Sequence, residues 1–89
     1  MRSVTTIRFR KAYERLPVKI KEAAKIAYRR WKENPHHNSL QFKQVHKTQA
    51  VYSVRIGLSW RAIGVKQQKV MIWFWIGSHE EYNQLVSEL

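Results

Sequence analysis

The run Tyr52-Ser53-Val54-Arg55-Ile56, followed by Trp60-Arg61-Ala62-Ile63-Gly64-Val65 and Val70-Met71-Ile72-Trp73-Phe74-Trp75-Ile76, decides the fold. In the first segment Tyr52, Val54 and Ile56 alternate with Ser53 and Arg55, the period of two of a strand with unlike faces. The second is apolar apart from Arg61. The third is apolar throughout, as an interior strand covered on both sides reads. The connectors at 57–59 and 66–69 are short enough for antiparallel hairpins. Strict alternation puts Met71, Trp73 and Trp75 on one face of the last strand and Val70, Ile72, Phe74 and Ile76 on the other. One set must face the helices, and the other lines the second surface or packs into a strand buried on both sides.

Outward from this meander, Ser78-His79-Glu80-Glu81 has the form of a capping box, opening a helix through Tyr82, Leu85, Val86 and Leu89. Upstream, the segment 36–49 is polar and without periodicity, with Leu40, Phe42 and Val45 expected to touch the core. Before it, Ile20, Ala23, Ala24, Ala27, Tyr28 and Trp31 mark the buried face of a helix, and Lys21, Lys25, Arg29 and Lys32 recur on another face. Asn34-Pro35 closes that helix, because the residue before proline disfavours helical backbone. Pro17 suits its first turn. Phe9, Ala12, Tyr13 and Leu16 indicate a shorter helix before it, and β-branched residues from Ser3 to Arg8 a leading strand. The expected fold is a single small α+β domain over residues 1–89, ordered β-α-α-β-β-β-α. Its sheet is mainly antiparallel, and two N-terminal helices pack on one face.

Charge narrows the function. Seventeen Lys and Arg stand against six Glu, a formal net charge of +11 on 89 residues. Every basic residue lies between Arg2 and Lys69, and no carboxylate side chain occurs between Glu33 and Glu80. Such a field attracts phosphate polyanions and acidic protein segments, and it costs stability that an acidic partner relieves. With no cysteine, disulfides and thiolate zinc sites are excluded. No apolar run approaches the ~20 residues of a membrane-spanning helix, and the N-terminus alternates instead of forming a signal-peptide block. A cytoplasmic protein without membrane contact is expected. His36-His37 are adjacent, point apart on an extended chain and lack a nearby carboxylate, so no metal site is expected.

The order of elements and three strings resemble the RelE/ParE toxins of type II toxin–antitoxin modules. The strings are Tyr52 to Ile56, the aromatic-Arg pair in Trp60-Arg61-Ala62-Ile63, and an apolar strand ending in Trp75-Ile76-Gly77-Ser78-His79-Glu80-Glu81-Tyr82. The resemblance covers almost the whole chain. It implies a concave sheet surface, growth inhibition and neutralisation by a cognate acidic antitoxin. RelE-like members cleave messenger RNA, usually within the ribosome, whereas ParE-like members poison DNA gyrase. Fold alone does not choose between them. The RelE-like branch is the one favoured here.

RNA cleavage without a cofactor uses the ribose 2′-hydroxyl as nucleophile. It needs a proton acceptor, a cation for the phosphorane and an acid for the leaving 5′-oxygen. Arg61 matches the arginine of the family pair, and a guanidinium can bridge phosphate oxygens bidentately; the competing reading is an exposed or Glu-paired edge arginine. Arg55 stands where many RelE-like toxins carry lysine, or is simply an exposed strand residue. Ser53 departs from the second basic residue common in the family, which removes a candidate base. His79 falls where the family carries a basic or histidine residue, and an imidazole can give or accept a proton near neutrality; otherwise it is an ordinary first-turn residue. Tyr82, on the same helix face, stacks a base, positions a phosphate or packs with Leu85. Lys43, His46 and Lys47 form a basic patch suited to holding the nucleic-acid backbone. Some relatives place a glutamate base before the first long strand, and this chain has none there.

Three functions compete: a ribosome-associated endoribonuclease acting on mRNA, a gyrase inhibitor without chemistry, and a basic RNA-binding module. The leading strand and tandem helices count against a double-stranded-RNA domain.

Overall fold

The computed structural model describes residues 1–88. Its elements are β1 (Arg2–Thr5), α1 (Ile7–Glu14), α2 (Val18–Glu33), a 3-10 turn (Asn38–Leu40), β2 (Lys43–Gln44), β3 (Val51–Ile56), β4 (Trp60–Gln67), β5 (Val70–Ser78) and α3 (His79–Ser87). The expected order is present, with one short edge strand, β2, added from the polar segment. The five strands lie in the order β1-β5-β4-β3-β2. All neighbours are antiparallel except β1, which runs parallel to β5 with Val4 opposite Ile72.

Local chemistry sets the boundaries. The leading strand ends at Thr5, short of the expected Arg8, because the Thr6 side chain accepts from Phe9 N at 3.1 Å and caps α1. Pro17 is the N-cap of α2, one residue before its first turn, and Asn34 leaves the helix in extended backbone (φ −153°). Ala27 and Trp31 are buried, as the periodicity requires. Tyr28 is not: it is exposed and hydrogen-bonds Ser3 Oγ with its phenol.

The sheet carries a core on each face. Beneath α1 and α2, Trp31 meets Trp73 edge-on (5.3 Å between ring centroids) and Phe42 at 6.0 Å. Leu40, Val54, Ile56, Ala62, Met71 and Ile76 complete that layer. On the opposite face α3 lays Tyr82, Leu85 and Val86 over Val51, Ile63, Val65, Phe74 and Trp75. The second surface is therefore partly roofed by the last helix.

Strict alternation fails in β5. Ile63 pairs with Trp75 and Gly64 with Trp73, which leaves Phe74 as an extra residue in a β-bulge. Every side chain beyond the bulge changes face. Ile76, not Trp75, joins Met71 and Trp73 under the helices, while Phe74 and Trp75 both belong to the second core. Gly64 permits this: a Cβ there would lie 2.8 Å from Trp73 Cε3 and 3.0 Å from the Ile72 carbonyl oxygen.

Candidate functional site

The bulge and the strand register build the α3 side of the sheet as two rows. Arg55 is opposite Arg61, and Arg61 is opposite Gly77. In the next row Lys43 is opposite Ser53, Ser53 opposite Ile63, and Ile63 opposite Trp75. Directly paired residues share a face, so Arg61, Ser53 and Lys43 lie on one surface. Gly77 leaves room for the Trp75 indole, since a Cβ at 77 would fall 2.6 Å from Trp75 Cζ2.

Arg61 is the centre of this surface. It is 6% exposed. Its Nη2 donates to Gln41 Oε1 at 2.7 Å, and its Nη1 makes a marginal 3.5 Å contact with Ser53 Oγ. The guanidinium carbon sits 5.0 Å from the Tyr82 ring centroid, and Nε is buried without a partner. Among the described residues no carboxylate reaches it, and the one ion pair of the fold, Lys21–Glu14, lies in the helical layer. A buried cation offered only neutral acceptors is costly. The edge arginine paired to a C-terminal glutamate is not what these side chains form.

Tyr82 joins the pieces. Its hydroxyl and Ser53 Oγ share a hydrogen bond at 3.1 Å, its ring covers Arg61, and His79 stacks on it at 5.9 Å and 20°. It is buried, so it also packs beside Leu85. His79 itself is exposed. Its backbone N–H donates to the Ser59 carbonyl at 2.7 Å, fixing the start of α3 to the β3–β4 turn. Ser78 and Glu81 complete the expected capping box.

The other candidates make no side-chain hydrogen bond to Arg61, His79 or Tyr82. Arg55 turns along its own strand and donates Nε to the Gly57 carbonyl at 2.8 Å. Lys43 is exposed on the Arg61 face. His46 Nδ1 accepts from the backbone N–H groups of Thr48 (3.1 Å) and Gln49 (3.0 Å), so that nitrogen holds a loop together. Lys47 is exposed in the same loop. Gln41 was not anticipated. It lies in a stretch without periodicity, and its reach to Arg61 depends on left-handed backbone (φ 45°) that no sequence pattern marks.

A hollow of about 530 Å³ lies on the other face of the sheet, between β1, α1, α2 and the strands, lined by Phe9, Tyr13, Tyr28, Trp31 and Trp73. It is mainly apolar and contains none of Arg61, His79 or Tyr82. No described helix is long and apolar enough to cross a membrane.

A partly covered cationic surface lies on a five-stranded sheet, with two N-terminal helices on the other face and a short terminal helix above it. The chain belongs to the ParE-like toxin domain family, whose model matches residues 18–84. It is thus a toxin of the RelE/ParE superfamily. No protein of curated function matches it by sequence. Among solved structures it is similar to a chain of the RelB–RelE antitoxin–toxin complex from Methanococcus jannaschii (TM-score 0.73, 13% identity, 92% of this chain and 96% of that one). It also resembles the YoeB/ParE toxin from Agrobacterium tumefaciens (0.68, 18%, 89% and 99%). The isolated RelE toxin of E. coli is similar to the same degree (0.68, 15%, 98% and 96%). At these identities the likeness is one of fold.

Proposed function

We propose that this chain is the toxin half of a toxin–antitoxin module and that it cuts messenger RNA, with the ribosome presenting the substrate. The observation that carries the reading is the Arg61 guanidinium: nearly buried, aligned by Gln41, and without a carboxylate among the described residues. A buried charge without a counter-charge is costly in a folded protein, and an arriving opposite charge relieves that cost. A phosphodiester supplies that charge. Arg61 then stabilises the pentacovalent phosphorane as the ribose 2′-oxygen attacks phosphorus, and the 5′-oxygen departs as a hydroxyl after taking a proton from solvent water. The exposed His79 ring, held against Tyr82, takes the 2′-hydroxyl proton. Tyr82 orients both groups. Lys43, on the same face, steers the backbone, with Lys47 farther along the loop. No metal or cofactor is assigned a role.

The partner is an acidic antitoxin segment that folds on binding, complementing the +11 charge. The test is to express the chain under tight control and sequence cellular RNA ends. Fragments ending in 2′,3′-cyclic phosphate and beginning with a 5′-hydroxyl, absent with an Arg61→Leu variant, support the reading. Intact transcripts during growth arrest defeat it.

Gyrase inhibition is the second reading. What favours it is the helical hairpin, where ten Lys and Arg between Ile7 and Glu33 stand against three Glu. DNA breaks with intact RNA, undiminished by His79→Ala, would select it.

A further inference from the structure

Gln41 moves no proton in the reaction outlined above, yet it makes the shortest hydrogen bond to the guanidinium that reaction needs, 2.7 Å from Oε1 to Nη2. We infer that Gln41 is a neutral placeholder: its amide oxygen holds Arg61 in position where a phosphate oxygen will sit, and gives way to it. This rests on the phosphate role proposed for Arg61 and adds the residue that keeps that guanidinium aligned and charged.

Three observations converge. First, Gln41 is exposed, whereas Arg61 is 6% exposed, so the acceptor can swing into water while the donor cannot. Second, the backbone is built to deliver this side chain. Gln41 caps the 3-10 turn in left-handed conformation, the preceding Leu40 is 1% exposed and anchors the turn, and His37 Nδ1 accepts from Ser39 N at 3.2 Å to hold its start. Such backbone in a non-glycine residue is sparsely populated and needs a surrounding structure to maintain it. Third, the remaining contacts of the guanidinium are weak or absent: Ser53 Oγ lies at 3.5 Å, and Nε has no partner. Gln41 therefore sets the orientation almost alone among hydrogen-bonding groups, with the Tyr82 ring covering the cation.

The chemistry explains the residue type. A glutamate here would make a charge-assisted ion pair of the same reach. It would satisfy Arg61 permanently and cancel the charge that attracts a phosphodiester. An amide aligns the guanidinium without neutralising it. Gln41 is thus a positioning residue, and its lack of charge is the functional property.

The experiment compares Gln41→Glu and Gln41→Leu with Gln67→Glu. The last makes the same charge change at an exposed position six residues along β4 from Arg61. Two readouts are taken: thermal unfolding with and without inorganic phosphate, and fluorescence anisotropy with a labelled RNA oligonucleotide carrying 2′-O-methyl groups throughout. Gln41→Glu is expected to melt roughly 3–8 °C above Gln67→Glu. It should lose the phosphate-induced rise seen in wild type and bind RNA about tenfold more weakly than Gln67→Glu. Gln41→Leu, which removes the acceptor but adds no charge, should melt lower than wild type and keep its phosphate protection.

A Gln41→Glu variant that melts with Gln67→Glu, or is still protected by phosphate, overturns the role given to Gln41 and leaves the Arg61 site standing. Loss of protection in Gln41→Leu as complete as in Gln41→Glu also overturns it, because neutrality would then not matter. Wild-type protein that phosphate does not protect overturns both the Arg61 site and the placeholder.

Discussion

The hydroxyl of Tyr82 in α3 lies 3.1 Å from Oγ of Ser53 in β3, and Ser53 is fully buried. This bond ties the last helix to the sheet above Arg61, and it links two residues 29 positions apart. Tyr82→Phe removes the phenol and leaves the serine hydroxyl with only the marginal Arg61 contact. The expected cost is about 1–2 kcal/mol, measured by urea unfolding. Tyr82→Ala also opens a cavity over the guanidinium, and about 3–5 kcal/mol is expected.

Arg61 should separate stability from function. Replacing it with leucine removes a buried cation that no carboxylate balances among the described residues. Unfolding free energy should stay the same or rise by up to about 2 kcal/mol, while RNA cleavage disappears. A variant that fails to fold would mean that the arginine is structural.

His79→Ala should change stability by no more than roughly 0.5 kcal/mol, because the ring is exposed and its backbone bond to Ser59 survives. If the imidazole accepts the 2′-hydroxyl proton, cleavage in a translating extract should fall about 10²–10⁴-fold. An unchanged rate would remove His79 from the mechanism.

Gly64→Ala tests the bulge. The added methyl would meet the Ile72 carbonyl at 3.0 Å as well as the Trp73 ring at 2.8 Å, and backbone cannot retreat as a side chain can. A loss of about 1–3 kcal/mol is expected. Changed near-ultraviolet dichroism, from Trp73 and Trp75 repositioned across the sheet, should accompany it.

Much of this molecule was legible in the chain. Period-two alternation, the capping box at Ser78 and the Asn34-Pro35 stop are local signals, read from residues near one another in sequence. The two-residue strand at Lys43 was not readable, because it exists only through pairing with Tyr52 and Ser53. The site was legible only as an inventory. Arg61, His79 and Tyr82 stood out as candidates through the family resemblance, while Gln41 had no signal, since its contact is made across 20 residues from an irregular turn.

By itself the sequence determined the class of fold, the excess of cations and the absence of any carboxylate side chain between Glu33 and Glu80. Those are properties of composition and of short-range periodicity. Tertiary structure alone decided which side of the sheet each group occupies. One unpaired residue, Phe74, reverses the facing of Trp75 and Ile76. Side-chain direction along a strand depends on every pairing before it, so a single bulge changes what no local pattern records.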